Sequence, residues 1–443
     1  MDIRITPRKL SGTVTPPPSK SMAHRLIIAA ALSDGTSVIH NVAFSQDIEA
    51  TLRCMEALGA TWFRQSADTI CVSGIGNFPC VGNALPHFDC GESGSTLRFL
   101  IPIALAVAGG GVFTGHGRLM ERPQKPYFDL FDERGISYRQ EDGTLIVRGR
   151  LTPGEYHLPG NVSSQFFTGL LYALPLLDGP STIVGTTPLE SAGYITMTMN
   201  AMQNAGVPVA AQWGQRRFQV APMSYRSFTG TVEADWSQAG FWYAAQGTGS
   251  SLIIEGMNET STQGDRVILD YGARLRGETL QGCVTVPVLK TAGESRIQRE
   301  PSPQRSGWST PCVGSVGLDI SRCPDLAPPL AAWGALMNGS LYLKNAARLR
   351  IKESDRLFTI TAGLTALGAE VYEEADRLVI VGKPSLSGGT VDSANDHRIA
   401  MMAAIAATGC TGPVTILGAE CVKKSYPDFW EVYQSLGGDI HVL

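Results

Sequence analysis

Two apolar patterns alternate along this chain. The first is apolar around nearly its whole circumference and opens on a polar residue, the pattern of a helix buried on all sides. It begins at Ser19 (SKSMAHRLIIAAAL), Ser93 (SGSTLRFLIPIALA), Ser163 (SSQFFTGLLYALPLL), Asp235 (DWSQAGFWYAAQ), Pro324 (PDLAPPLAAWGALM) and Asn395 (NDHRIAMMAAIAA). The second is amphipathic and stops at a glycine, which supplies a left-handed cap. These stops fall at Gly59, Gly135, Gly206, Gly277, Gly368 and Gly437. Short β-branched runs between them predict strands, among them Ser250 to Gly256, Thr144 to Gly149 and Arg377 to Gly382.

Both series repeat at nearly constant spacing, and both lengthen in the same interval. That points to an insertion between Gly277 and Pro324. The stretch Gly282 to Ser315, rich in Pro, Ser and Arg, coincides with it and is expected to be a surface loop. Six similar units divide naturally into two groups of three, with a hinge near Asp235. An N-terminal strand, Ile3 to Val14, leads through Pro16-Pro17-Pro18, a stiff linker, into the first apolar helix.

Length agrees with this division, because 443 residues exceed what one core commonly serves. At 43% hydrophobic and 17% charged residues, the composition is that of a folded protein. A net charge of −4 offers no global field for nucleic acid or an anionic membrane. The 9 cysteines form no C-x-x-C pair, which argues against a disulfide framework or zinc knuckle and fits a reducing compartment. The segment MDIRITPRKL lacks a signal-peptide core, and no apolar run is long enough to span a bilayer. A cytoplasmic protein is expected.

Charge changes the picture locally. Lys20, Ser21 and Arg25 cluster at the first apolar start, with Ser21 and Arg25 four apart on one face. Asp396, His397 and Arg398 cluster at the sixth. The amphipathic helices are expected to open near Glu121, Arg122 and Lys125, near Lys352, Glu353, Asp355 and Arg356, and near Lys423, Lys424 and Ser425. Lys352 and Arg356 would lie four apart on one helical face. A helix start attracts anions through its free N–H groups, and cations placed there oppose the dipole unless an anion joins them. The pattern predicts sites for phosphate or carboxylate.

Seven runs then fall in order: PPPSKSMAHR (Pro16 to Arg25), GESGSTLR (Gly91 to Arg98), GRLMERP (Gly117 to Pro123), VSSQF (Val162 to Phe166), KESDRL (Lys352 to Leu357), NDHRIAM (Asn395 to Met401) and KKSYPDFW (Lys423 to Trp430). With them the chain resembles the 5-enolpyruvylshikimate-3-phosphate synthase family of enolpyruvyl transferases. The resemblance implies a two-domain α/β fold, each domain a threefold repeat of βαβαββ units, an inside-out α/β barrel. Residues 1–19 and 236–443 would form one lobe and 20–235 the other, with the active site in the interdomain cleft. Shikimate 3-phosphate and phosphoenolpyruvate would be the substrates, without metal or other cofactor, and a monomer is expected.

By position, the resemblance gives shikimate 3-phosphate to Lys20, Ser21, Arg25, Ser163, Ser164, Gln165, Ser191, Tyr194, Asp325 and Lys352. It gives phosphoenolpyruvate to Lys20, Gly94, Arg122, Gln165, Glu353, Arg356, His397, Arg398 and Lys424. Asp325 would act as base on the attacking hydroxyl and Glu353 as acid near C3 of phosphoenolpyruvate. Lys20 and Lys424 would share proton work, and His397 would lie in the site. Glyphosate is expected to compete with phosphoenolpyruvate. The second motif departs from the family's commoner GNAGTAxRP: Glu92 replaces an amide and Phe99 a proline, with Ser93, Ser95 and Thr96 also close enough to alter inhibitor binding. Two rival readings remain. The sister enzyme acting on UDP-N-acetylglucosamine typically carries a reactive cysteine that Thr114 to Pro126 lacks. A non-catalytic phosphometabolite-binding relative would have lost residues among Lys20, Asp325, Glu353 and Lys424, and all are present.

Overall fold

The structure is a computed structural model that describes residues 1–76, 84–277 and 314–443. Most of the Gly282 to Ser315 stretch therefore lies outside the described residues. The chain divides into two compact units. Pro18–Glu233 is called here the N-terminal lobe, and Met1–Pro17 with Ala234–Leu443 the C-terminal lobe.

Among the described residues the N-terminal lobe holds α1 (Lys20–Ala31), α2 (Gln46–Ala57), α3 (Gly94–Val107), α4 (Lys125–Arg134), α5 (Ser164–Ala173) and α6 (Ala192–Asn204). The C-terminal lobe holds α7 (Trp236–Gly247), α8 (Ile268–Leu275), α9 (Ala327–Leu336), α10 (Arg356–Ala366), α11 (His397–Ala407) and α12 (Phe429–Ser435). The odd-numbered helices are the six all-apolar runs, and they are the most deeply buried. Every residue of α11 is buried, which its alanines permit by letting neighbours approach closely. The polar openings act as caps: Ser19, Ser93, Ser163, Asp235 and Asp396 each accept a backbone N–H from the first turn. In α9, Pro328 and Pro329 occupy the first turn instead, where a missing N–H costs no helical bond.

The even-numbered helices end as their glycines predict. Gly59, Gly135, Gly206, Gly277, Gly368 and Gly437 all have positive φ, between 66° and 103°. A side chain at these positions would strain the backbone.

Five four-stranded sheets repeat one topology: a parallel pair, then two antiparallel neighbours. In the N-terminal lobe, His87–Asp89 runs parallel to Gly110–Thr114, followed by Thr144–Arg148 and Ser137–Glu141. In the C-terminal lobe, Ser315–Asp319, Ser340–Lys344, Arg377–Val381 and Glu370–Glu373 follow the same order. The sixth sheet is described as a parallel pair only, Ser251–Ile254 with Ser11–Val14. The predicted strand region Ile3 to Val14 is thus two strands, Ile3–Thr6 and Ser11–Val14, serving different sheets of one lobe. Strands alternate in burial, as Thr144–Arg148 does, because one face packs on the helices and the other meets water. Each lobe has its own hydrophobic core. This is the expected α/β architecture, with apolar helices inside and sheets around them.

Two helix starts differ from expectation. Lys352 and Glu353 precede α10 rather than open it; Asp355 caps it and Arg356 is its first residue. The backbone at Lys352 is extended, so Lys352 and Arg356 share no helical face. Lys423 and Lys424 end a 3-10 turn, Ala419–Lys424, while α12 starts at Phe429. Pro427 favours extended backbone at the residue before it, which separates the two elements.

Candidate active site

In the N-terminal lobe the sequence-predicted residues gather at the starts of α1, α3, α5 and α6. Lys20, the first residue of α1, reaches Asp47 in the first turn of α2 at 2.7 Å. Asp47 thereby offsets a cation that the α1 dipole disfavours. One turn further, Arg25 is 2% exposed. It donates from Nη1 to the Ser21 carbonyl at 2.7 Å, and from Nε to Thr198 Oγ1 at 2.9 Å and the Tyr194 carbonyl at 3.3 Å. The Tyr194 and Phe99 rings flank its guanidinium. All these partners are neutral, and burial pushes the Arg25 pKa down to about 10. A buried cation facing neutral groups is prepared for an anion.

Gly94, Arg122 and Gln165 form a second group. A Cβ on Gly94 would stand 2.6 Å from Arg122 Nη1 and 3.8 Å from Gln165 Oε1. Glycine is what lets the guanidinium lie against the start of α3. Arg98, four residues along α3, donates to Gln165 Oε1 at 2.8 Å and to the Pro123 carbonyl at 3.1 Å. Gln165 in turn donates to Ser95 Oγ at 3.0 Å. Ser163 caps α5 and Ser164 is buried beside it. Ser191 precedes α6 with φ 55°, and its carbonyl accepts the Tyr194 N–H. Phe99 is fully buried, so it meets Arg25 from the core side. Glu92 lies across the backbone of Gly117, whose missing Cβ would fall 2.8 Å from Oε2.

The C-terminal lobe assembles a different cluster. Asp325 stands in the 3-10 turn that leads into α9. Its Oδ1 receives Arg356 at 2.8 Å and Lys352 at 3.3 Å, and its Oδ2 receives Arg398 at 3.3 Å. Arg356, 1% exposed, also binds Glu353 at 2.6 Å and Asp396 at 2.8 Å. Asp396, fully buried, caps α11 and accepts the Ser354 hydroxyl as well. Arg398 adds a bond to Ser237 Oγ at 2.9 Å. Lys424 donates to the Asn395 carbonyl at 2.6 Å, one residue from Asp396. His397 is buried with Nδ1 4.0 Å from Asp396 Oδ1.

Electrostatics follow from these contacts. Burial by itself would raise the Asp325 pKa; Arg398, Lys352 and Arg356 outweigh it and hold the carboxyl well below its usual range. Burial lowers the Lys352 pKa, opposed by Asp325. Arg356 is held strongly protonated: burial opposes its charge, but Asp396, Glu353 and Asp325 prevail.

The structure thus joins Asp325, Lys352, Glu353, Arg356 and Arg398 directly, with His397 and Lys424 beside Asp396. Sequence reasoning missed Asp47 and Arg98 as working parts of these clusters, and it placed Asp396 in a charged helix start without giving it a partner. Arg98 was detectable as the residue one turn after Gly94, and Asp396 as the acid opening an apolar helix. Thr168 and Thr198, near Arg25, had no local signal. Among the described residues, no cluster of His, Cys, Asp and Glu could hold a metal ion.

One sheet design used five times, with cations massed at helix starts in both lobes, defines a repeat-built α/β protein equipped for small anions. Comparison with known proteins sharpens that class. Residues 5–433 match the family model of EPSP synthase (3-phosphoshikimate 1-carboxyvinyltransferase). The chain is 43% identical to the 3-phosphoshikimate 1-carboxyvinyltransferase of Clostridium kluyveri, covering 99% of this chain and 98% of that one. It is 42% identical to that of Clostridium acetobutylicum at the same coverage. The structure matches an EPSP synthase of Acinetobacter baumannii with a TM-score of 0.74 over the whole of both chains, at 23% identity. The chain belongs to the EPSP synthase family.

Proposed function

We propose that the chain transfers the enolpyruvyl group of phosphoenolpyruvate to the 5-hydroxyl of shikimate 3-phosphate, releasing inorganic phosphate. Its family membership supports the reaction, and the carboxylate of Asp325 among three cations is the observation that carries the mechanism. Attack of the hydroxyl oxygen on C2, with protonation of C3, gives a tetrahedral adduct. Loss of phosphate and of one C3 proton restores the double bond in the product.

Paired with its cations Asp325 is a poor base, since they stabilise the charged form. Anionic substrates compete for those same cations. As Lys352, Arg356 and Arg398 turn toward phosphate and carboxylate, Asp325 recovers basicity where the hydroxyl must lose its proton. Glu353 is the acid for C3, assisted by Lys20 and Lys424, and His397 supports the same region. Arg122, Arg356 and Arg398 stabilise charge on the departing phosphate. Lys20, Gly94, Gln165 and Arg122 hold phosphoenolpyruvate with them. Ser21, Arg25, Ser163, Ser164, Ser191 and Tyr194 hold shikimate 3-phosphate.

Glyphosate, carrying a carboxylate and a phosphonate, competes for the phosphoenolpyruvate residues. The working form is a cytoplasmic monomer. No described helix is long and apolar enough to cross a membrane.

Phosphate release by the purified chain tests the proposal. Release requires both substrates together, and UDP-N-acetylglucosamine does not replace shikimate 3-phosphate. Release with the sugar nucleotide alone as acceptor, or with neither acceptor, overturns the reading.

A further inference from the structure

A chain of short hydrogen bonds runs through the interior of the N-terminal lobe and touches none of the residues given a substrate above. His24 Nδ1 meets Thr51 Oγ1 at 2.7 Å. Thr51 Oγ1 meets Thr96 Oγ1 at 2.7 Å. Thr96 donates its hydroxyl to Ser93 Oγ at 2.7 Å, and its backbone N–H to the same oxygen at 3.2 Å. His24, Thr51 and Thr96 are fully buried and Ser93 is 1% exposed. The four side chains come from α1, α2, α3 and the α3 cap, so the chain stitches together three helices.

Proton accounting gives it a direction. Thr96 has one hydroxyl proton and spends it on Ser93. The Thr51–Thr96 bond must then be donated by Thr51, which favours it over the Asp47 carbonyl at 3.3 Å. The His24–Thr51 bond is left to the imidazole, so Nδ1 carries the proton. Nε2 is the bare nitrogen, and it is the ring atom with no hydrogen-bond partner among the described residues. A protonated Nε2 would be a buried donor facing nothing, beside Lys20 and Arg25; burial and those two cations hold the His24 pKa well below the usual range. The imidazole therefore stays neutral and the chain keeps one orientation.

What the chain fixes is functional. Lys20 lies one turn before His24 on α1, and Asp47 one turn before Thr51 on α2, the two joined by their ion pair. Gly94 lies between Ser93 and Thr96, with Arg122 against it. Any slip of α1 or α2 against α3 must break a buried hydrogen bond, and an unpaired buried polar group is costly. We propose that His24, Thr51 and Thr96 are positioning residues that hold the Lys20 end of α1 in register with the Gly94 end of α3, so that the phosphoenolpyruvate subsite is preformed. The inference rests on the function proposed above.

Thr51→Val keeps the shape and removes the hub hydroxyl. The expected result is a KM for phosphoenolpyruvate raised about fivefold or more, with KM for shikimate 3-phosphate nearly unchanged and activity rescued by Thr51→Ser. Thr96→Val breaks the next link and serves if Thr51→Val does not fold. The double variant should be little worse than either single one, because the chain is already cut. Equal changes in both KM values, a drop in stability with KM unchanged, or full additivity in the double variant overturns the positioning role. Wild-type protein assayed alongside separates the two claims: if it turns over both substrates while the variants show no selective effect, the reaction stands and the positioning role falls.

Discussion

The two lobes treat their buried cations in opposite ways. In the N-terminal lobe Arg25 is surrounded by hydroxyls, carbonyls and rings, and its pKa sinks to about 10. In the C-terminal lobe Arg356 meets three carboxylates and is held strongly protonated. The first arrangement stores an unmet demand for an anion, at a cost on the order of 3 kcal/mol. The second satisfies its charges internally and can engage a substrate only by exchanging one anion for another. The first arrangement suits a group that must grip an anion, the second a carboxylate that must be freed as a base.

The sharpest test of the exchange is Asp325→Ala. Removing the carboxylate leaves Lys352, Arg356 and Arg398 to bind anions but deletes the base. Turnover should fall by about a thousandfold or more, with the circular dichroism spectrum preserved. Near-normal phosphate release ends the assignment of Asp325 as base.

Arg356→Met and Arg25→Met together test the contrast itself. Loss of Arg356 takes a guanidinium partner from Asp396, which is fully buried, and from Glu353 and Asp325. Stripping one partner from a buried ionic network costs about 3 to 5 kcal/mol. Loss of Arg25 forfeits hydrogen bonds to neutral groups but relieves a desolvated charge, so it should cost no more than about 1.5 kcal/mol. Urea titration of both variants decides the matter, and equal destabilisation erases the distinction. Arg25→Met should nonetheless bind shikimate 3-phosphate far more weakly, because the unmet charge is what the ligand answers.

Gly94→Ala comes next in size. Its new methyl group would sit 2.6 Å from Arg122 Nη1 and must push the guanidinium aside. Overpacking of this kind costs about 1 to 3 kcal/mol, here taken from ligand binding because the displaced group is a ligand's partner. KM for phosphoenolpyruvate should rise about tenfold and glyphosate inhibition weaken with it. An unchanged KM means that Arg122 has room to yield.

These clusters were unequally legible in the sequence. Burial on all sides, glycine stops and polar caps are local properties, which is why the twelve α-helices among the described residues and the repeat were readable from the chain. Lys352 was placed on a helix because a four-residue spacing suggests one, yet the turn begins only after the Asp355 cap. Lys423 and Lys424 were misplaced for a similar reason, since their 3-10 turn is too short to leave a periodic signal. Thr51 and Thr198 look like ordinary helix residues in the sequence, and Thr96 stands out there only by its place beside the inhibitor motif. Their roles arise from partners on other helices, and no periodicity reports such pairings. Asp396 was visible as a cap but not as the anion that anchors Arg356, because that contact spans 40 residues.

The smallest effect concerns acid, and it again separates the lobes. Asp325 has its pKa depressed in the folded protein, since its three cations prevail over burial. A depressed carboxyl contributes stability that is fully present above the unfolded value of about 4, and this is lost as pH falls toward the folded value. Asp325→Asn never has that contribution. The difference in urea midpoint between wild type and Asp325→Asn should hold steady from pH 7 to about pH 5, then shrink as pH drops below about 4. Thr198→Val offers the contrast in the N-terminal lobe, because it removes a neutral partner of Arg25. Its difference from wild type should stay flat across the same range, as no carboxylate is involved. A flat difference for Asp325→Asn as well would mean that its cations do not favour the ionised form, and the exchange of anions inferred for the C-terminal lobe would lose its basis.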